Sequence, residues 1–244
     1  MLDTAFEALK SYDWGTDMAV LAPIEEAATK TGSDPTLRED LEKRLIAALE
    51  NPLSRDAQDY VCRKLATVAS TAAIPVLSKL LLKDESSHMA RFALERIPNA
   101  EASAALRDAL TNVSDQSRIG IISSLGTRRD EVSVKSLAGY LSDRNLPVAK
   151  AAAIALGAIG STESAAALRS ALGSSASGVS NSAAGISQQA FVTDALLSCA
   201  EALLGSNHSS DATSIYQLLS QDNRPRLVRL AATRGLLACA SRIA

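Results

Sequence analysis

The apolar residues of this chain fall into columns. Leu65, Leu94, Leu125, Leu156, Leu203 and Leu236 each stand late in an alanine-rich segment, at successive separations of 29, 31, 31, 47 and 33 residues. Leu77, Leu106, Leu137, Leu168 and Ile215 repeat the separations 29, 31, 31 and 47, and so do Leu81, Leu110, Leu141, Leu172 and Leu219. Three columns that keep one register, lengthening together from 31 to 47 at one place, mark a repeated structural element.

Each repeat divides into two amphipathic stretches. In the first, apolar residues return at helical spacing, as at Ile74, Leu77, Leu80 and Leu81, which places them on one helix face. The second stretch is richer in alanine, and four residues before its leucine stand Val61, Ala90, Ile121, Ala152, Cys199 and Ala232, small or branched side chains that allow close helix contact. Short polar turns such as Asp84-Glu85-Ser86 and Asp143-Arg144-Asn145 join them, with Pro147 near a helix start where its missing N–H costs little.

The pattern predicts six antiparallel helix pairs: 36–50 with 54–67, 71–82 with 86–97, 101–111 with 115–126, 131–142 with 146–159, 163–173 with 188–204, and 209–220 with 226–241. Two further helices, 2–11 and 17–30, precede them within residues 1–35 and are expected to cap the array, since a terminal repeat otherwise exposes an apolar face. Asp34-Pro35 supplies an N-cap and a first-turn proline for the first pair. The longer separation places extra residues at 173–187, almost wholly Ser, Gly, Ala and Asn. That composition is expected to form a flexible insertion on a single domain spanning 1–244. It is either a tolerated surface connection or a loop that orders on a partner.

The run Ala151 to Gly160, followed by Glu163 through Leu172, resembles the HEAT-like repeat of the phycobilisome-lyase type. Val228-Arg229-Leu230-Ala231-Ala232 resembles the Val-Arg-x-Ala-Ala signature of the same repeat, and Tyr60 to Leu65 and Ser87 to Ile97 are similar to a bacterial subgroup of HEAT-repeat modules. The resemblance covers residues 36–242. It implies an all-α fold, a right-handed α-α superhelix of the armadillo-like kind, whose alanine-rich second helices line the concave side.

Composition narrows the chemistry. The 244 residues are 47% hydrophobic and 3% aromatic, with a net charge of −2, so no overall field gathers nucleic acid or anionic lipid, and neither is an expected partner. No apolar run reaches the roughly 20 residues a membrane span needs, and no export signal opens the chain. The expectation is therefore a cytoplasmic protein, although a trimmed exported protein or a module of a longer chain would leave the same trace. His88 is followed by Met89 and His208 by Ser209, whereas the iron-binding hydroxylases among HEAT-repeat proteins carry repeated His-Glu pairs; no metal and no cofactor is expected. Cys62, Cys199 and Cys239 fall on or near the packed side of their helices and read as buried thiols. Gly157 and Gly160 read as helix-end punctuation.

Charge is uneven: residues 1–50 hold 11 acidic and 5 basic side chains, whereas 224–242 hold five arginines and no acid. Asp222 is placed to meet Arg229, and the same asymmetry allows end-to-end self-association. Six and two residues before each marker leucine, the positions pointing most nearly away from the packed face read Asp59 and Arg63, His88 and Phe92, Ile119 and Ser123, Lys150 and Ile154, Leu197 and Glu201, Leu230 and Arg234. Arg63, His88, Phe92, Lys150, Glu201 and Arg234 are the candidate protein-binding residues of that stripe, with Phe92 as aromatic anchor. The expected function is a non-catalytic scaffold for a protein or peptide partner. The family analogy keeps a bilin-lyase-like or isomerase-like enzyme as the alternative.

Overall fold

The computed structural model describes residues 1–176 and 183–241, and among these the fold is all-α, with fourteen α-helices and no strand. Residues 1–121 and 122–244 form two compact units. The chain runs through α1 (Leu2–Leu9), α2 (Ala22–Lys30), α3 (Pro35–Leu49), α4 (Arg55–Val68), α5 (Ile74–Leu81), α6 (Asp84–Leu94), α7 (Ala100–Ala109) and α8 (Asp115–Thr127). It continues through α9 (Val134–Tyr140), α10 (Leu146–Ile159), α11 (Thr162–Ala176), α12 (Ala183–Gly205), α13 (Ser209–Leu219) and α14 (Arg226–Ala240). The six expected pairs are α3/α4 through α13/α14.

Inside each compact unit a helix packs on its pair mate and on its counterpart in the next pair: α4 on α6 and α5 on α7 in the first, α10 on α12 and α9 on α11 in the second. This i to i+2 packing is what a periodic sequence requires, because equivalent faces repeat once per pair. The columns form the core. Every member of the three leucine/isoleucine series except Leu236 is buried, and so are all six small or branched residues four positions before the first series. Leu236 is half-buried, on the last helix, where Leu227, Leu230 and Leu237 are exposed.

Helix starts follow local chemistry. Asp34 Oδ1 accepts from the Leu37 N–H at 2.9 Å with Pro35 in the first turn of α3, as expected, and Ser54 Oγ accepts from the Ala57 N–H at 3.0 Å at the start of α4. Three expected helices start differently. Residues 17–30, 71–82 and 131–142 each open with a 3-10 turn, Met18–Leu21, Thr71–Ala73 and Glu131–Ser133, before α2, α5 and α9. In α2 and α5 a proline, Pro23 or Pro75, occupies the first turn of the α-helix, where no N–H is needed.

The insertion is corrected. α11 continues to Ala176 and α12 begins at Ala183, so both edges of 173–187 are helical and not loop. Extending an existing helix avoids the nucleation penalty, and alanine is the best helix former. Residues 177–182 lie outside the described residues.

Candidate functional site

α4 and α6 bring three of the six stripe residues into one neighbourhood. Arg63 projects from α4; His88 and Phe92 stand one turn apart on α6, His88 exposed and Phe92 half-buried. The Arg63 guanidinium lies 5.5 Å from the Phe92 ring centroid, and that of Arg96 lies 3.7 Å from it. Arg63 Nε also donates to Asp59 Oδ2 at 2.7 Å. Two expectations change accordingly. Phe92 is not a bare aromatic anchor but a ring covered by two cations, and Arg63 is a charge already paired one turn back along its own helix.

In the second unit, Lys150 is exposed near the start of α10, and Ile154, one turn later, is 56% exposed. Glu201 is exposed on α12, at the far end of the α10–α12 contact: Gly157 faces Ala195 and Gly160 faces Ala202, so Lys150 and Glu201 do not meet. Arg234 is exposed on α14, one turn beyond Leu230, itself 56% exposed. The stripe's remaining apolar members, Ile119 and Leu197, are half-buried.

Glu201 belongs to a feature that the stripe did not foresee, a cleft of about 650 Å³ where the C-terminal ends of α8, α10 and α12 come together. Arg129, Thr127, Ser198 and Ser206 line it with Glu201. Glycines make the helices approach: a Cβ on Gly126 would lie 2.8 Å from Ala155 Cα, and one on Gly157 would lie 2.8 Å from the Ala195 carbonyl oxygen. Gly157 is therefore a packing residue within α10, correcting its reading as punctuation, whereas Gly160 does end the helix in the left-handed region at φ 68°. Arg129 closes α8 the same way at φ 51°, donating its N–H to the Gly126 carbonyl. The signal available in sequence was the glycine directly after the column leucines Leu125 and Leu156.

The groups that chemistry would need are elsewhere. Cys62, Cys199 and Cys239 are buried and free, and burial pushes the Cys62 thiol up to about 12 and the Cys199 thiol up to about 11. His88 and His208 are exposed, and among the described residues no group of three or more His, Cys, Asp or Glu could hold a metal ion. No helix among them is long and apolar enough to cross a membrane. Arg229 Nη1 meets Asp222 Oδ1 at 2.7 Å, as expected.

Helix pairs packed in this order, on columns of this spacing, define an α-helical repeat fold. Residues 103–187 match the family model of HEAT repeats. The solved structure of human deoxyhypusine hydroxylase in complex with glycerol is similar over 98% of this chain and 96% of that one, at 15% identity and a TM-score of 0.40. An engineered protein is similar over 97% of this chain and 68% of its own, at 19% identity and a TM-score of 0.43. No curated protein matches the sequence.

Proposed function

We propose that this chain is a non-catalytic scaffold that binds a protein or peptide through the exposed stripe of its second helices. The observation that carries this reading is the exposure of Ile154 and Leu230 between the exposed charges Lys150 and Arg234. Apolar side chains on helices whose opposite faces are packed would gain by covering, and the cation one turn away on each helix would help set the register of what covers them. A protein surface fits that mixture better than a nucleic acid, which asks for continuous positive charge. Thiols held protonated by burial lend no support to a cysteine-based lyase.

The test places photo-crosslinking groups at His88, Lys150 and Arg234 and, for contrast, at Lys79 and Lys135, which are exposed on the first helices of their pairs. The stripe positions should crosslink to one recurring polypeptide, and Lys150→Glu with Arg234→Glu should weaken its capture while the thermal melt stays unchanged, because exposed charges contribute little to folding. Arg63 is left out of that reversal because its pairing with Asp59 and Phe92 would confound it. Equal crosslinking from Lys79 and Lys135, or a covalently coloured product on incubation with a bilin and an acceptor protein, would overturn the reading.

A further inference from the structure

The chain has eight aromatic residues, and three of them, Tyr12, Trp14 and Tyr60, line one cleft of about 530 Å³ in the first compact unit. Trp14 is the sole tryptophan and is 91% exposed; Met18, also in the lining, is 59% exposed. An indole is rarely left in water, and this one is held there by an ordered segment between α1 and α2. Asp13 Oδ1 accepts from the Trp14 N–H at 2.9 Å, the Thr16 N–H donates to the Asp13 carbonyl at 3.0 Å, and Gly15 turns the chain at φ 85°. Ser54 Oγ donates to the Tyr12 carbonyl, tying the segment to the start of α4. The Tyr12 and Tyr60 rings stand 6.3 Å apart and inclined at 48°.

Two carboxylates share the cleft. Asp56 and Asp59 lie three residues apart on α4 and so on one face. Asp59 is paired with Arg63; Asp56, half-buried, has no ion-pair partner among the described residues. The unit around them, residues 1–121, holds 19 acidic and 14 basic side chains, so its field draws cations. Aromatic faces beside a carboxylate ask for a planar, weakly hydrated cation that can stack and donate two hydrogen bonds at once, which is a guanidinium. The chain already uses that pairing internally, at Arg44 over Phe6 and Arg96 over Phe92.

We infer that the Tyr12–Trp14–Tyr60 cleft is a binding site for an arginine side chain presented by an extended segment of a partner protein, with the guanidinium stacked on Trp14 and paired to Asp56. This rests on the scaffold reading and names the partner's chemistry. The probe is an acetylated and amidated Gly-Ser peptide carrying two central arginines, titrated into the full chain, with lysine, glutamate and choline chloride arms alongside. Since Trp14 is the only indole, its emission reports occupancy directly. The arginine peptide should shift emission to the blue and protect it from acrylamide. It should bind several-fold more tightly than the lysine peptide and more weakly as salt rises, and the glutamate peptide should do nothing. By calorimetry, Trp14→Ala and Asp56→Asn should each weaken arginine-peptide binding about tenfold with an unaltered melt. Absence of any shift with the arginine peptide, binding that survives both substitutions, or choline binding as tightly as the peptide would each overturn the assignment. Salt-sensitive self-association of the chain alone, blocked by Trp14→Ala, would overturn it in favour of a second copy. Failure here with stripe crosslinking intact would leave the scaffold reading standing, whereas peptide binding without stripe crosslinks would overturn the stripe and keep the cleft.

Discussion

Substituting Gly157 by alanine tests whether α10 and α12 are held together by the missing side chain. A Cβ there would sit 2.8 Å from the Ala195 carbonyl oxygen and 3.2 Å from its Cα. Both are backbone atoms, so no rotamer change relieves the clash, and α12 must retreat by about 0.6 Å to reach ordinary contact at 3.4 Å. Overpacking of this kind costs about 1–3 kcal/mol. It is opposed by the helix-propensity gain of glycine to alanine, about 1 kcal/mol. Gly139, in the last turn of α9, provides the matched control, because a Cβ there meets nothing within 4 Å. The propensity change is common to both substitutions, so their difference isolates the packing cost. Urea unfolding followed by circular dichroism should show Gly139→Ala more stable than the parent by about 0.5–1 kcal/mol and Gly157→Ala lying below Gly139→Ala by about 1–3 kcal/mol, with equal slopes against denaturant. Shifts that agree in sign and size at the two sites would refute the close approach of α10 and α12.

Leu125→Ala and Leu156→Ala each empty a fully buried column position and should lose roughly 2–5 kcal/mol in the same assay; losses below about 0.5 kcal/mol at both would mean the register is misread. Hydrogen bonds from the Ser114 and Ser117 hydroxyls hold the Asp84 carboxyl below its ordinary value of 3.8. Its stabilisation is therefore present above pH 3.8 and is lost as the pH falls through the lowered folded value. Parent and Asp84→Asn melts should differ near neutrality and converge in acid; a constant gap down to the acid limit would contradict the link. Cys62 and Cys199, buried and pushed up to about 12 and about 11, should resist alkylation in the native state at pH 8 and react fully in guanidinium, by intact mass; native labelling as fast as that of a free thiol would refute their burial.

What the sequence made legible is what repeats. A leucine recurring every 31 residues can only serve one environment, so Leu94, Leu125 and Leu156 reveal the core without reference to one another's coordinates. The expected Asp34 cap and the Asp222–Arg229 pair were legible because they are local. Contacts between pairs were not. Phe92 meets Arg63 across 29 positions, and nothing in either helix records that the ring will be covered. The cleft at Glu201 depends on how closely glycines let backbones approach, a distance that composition does not encode. Leu236 keeps its column yet is half-buried where its five counterparts are buried, a difference that residue type, being the same leucine, does not encode.

At 23 residues, α12 extends about 34 Å, against about 21 Å for the 14 residues of α10 beside it. The surplus has been added ahead of Leu203 and behind Leu172, at the joint between mates, so both remain buried in their columns. Such a joint is a growth point. Residues can be gained or lost there with Leu172 and Leu203 both kept in their columns, while the same change inside α10 would displace every column residue beyond it. Descendants of this chain should therefore differ in length at this joint first, and a reader inserting a tag, a label or a second domain has the same freedom at the same place.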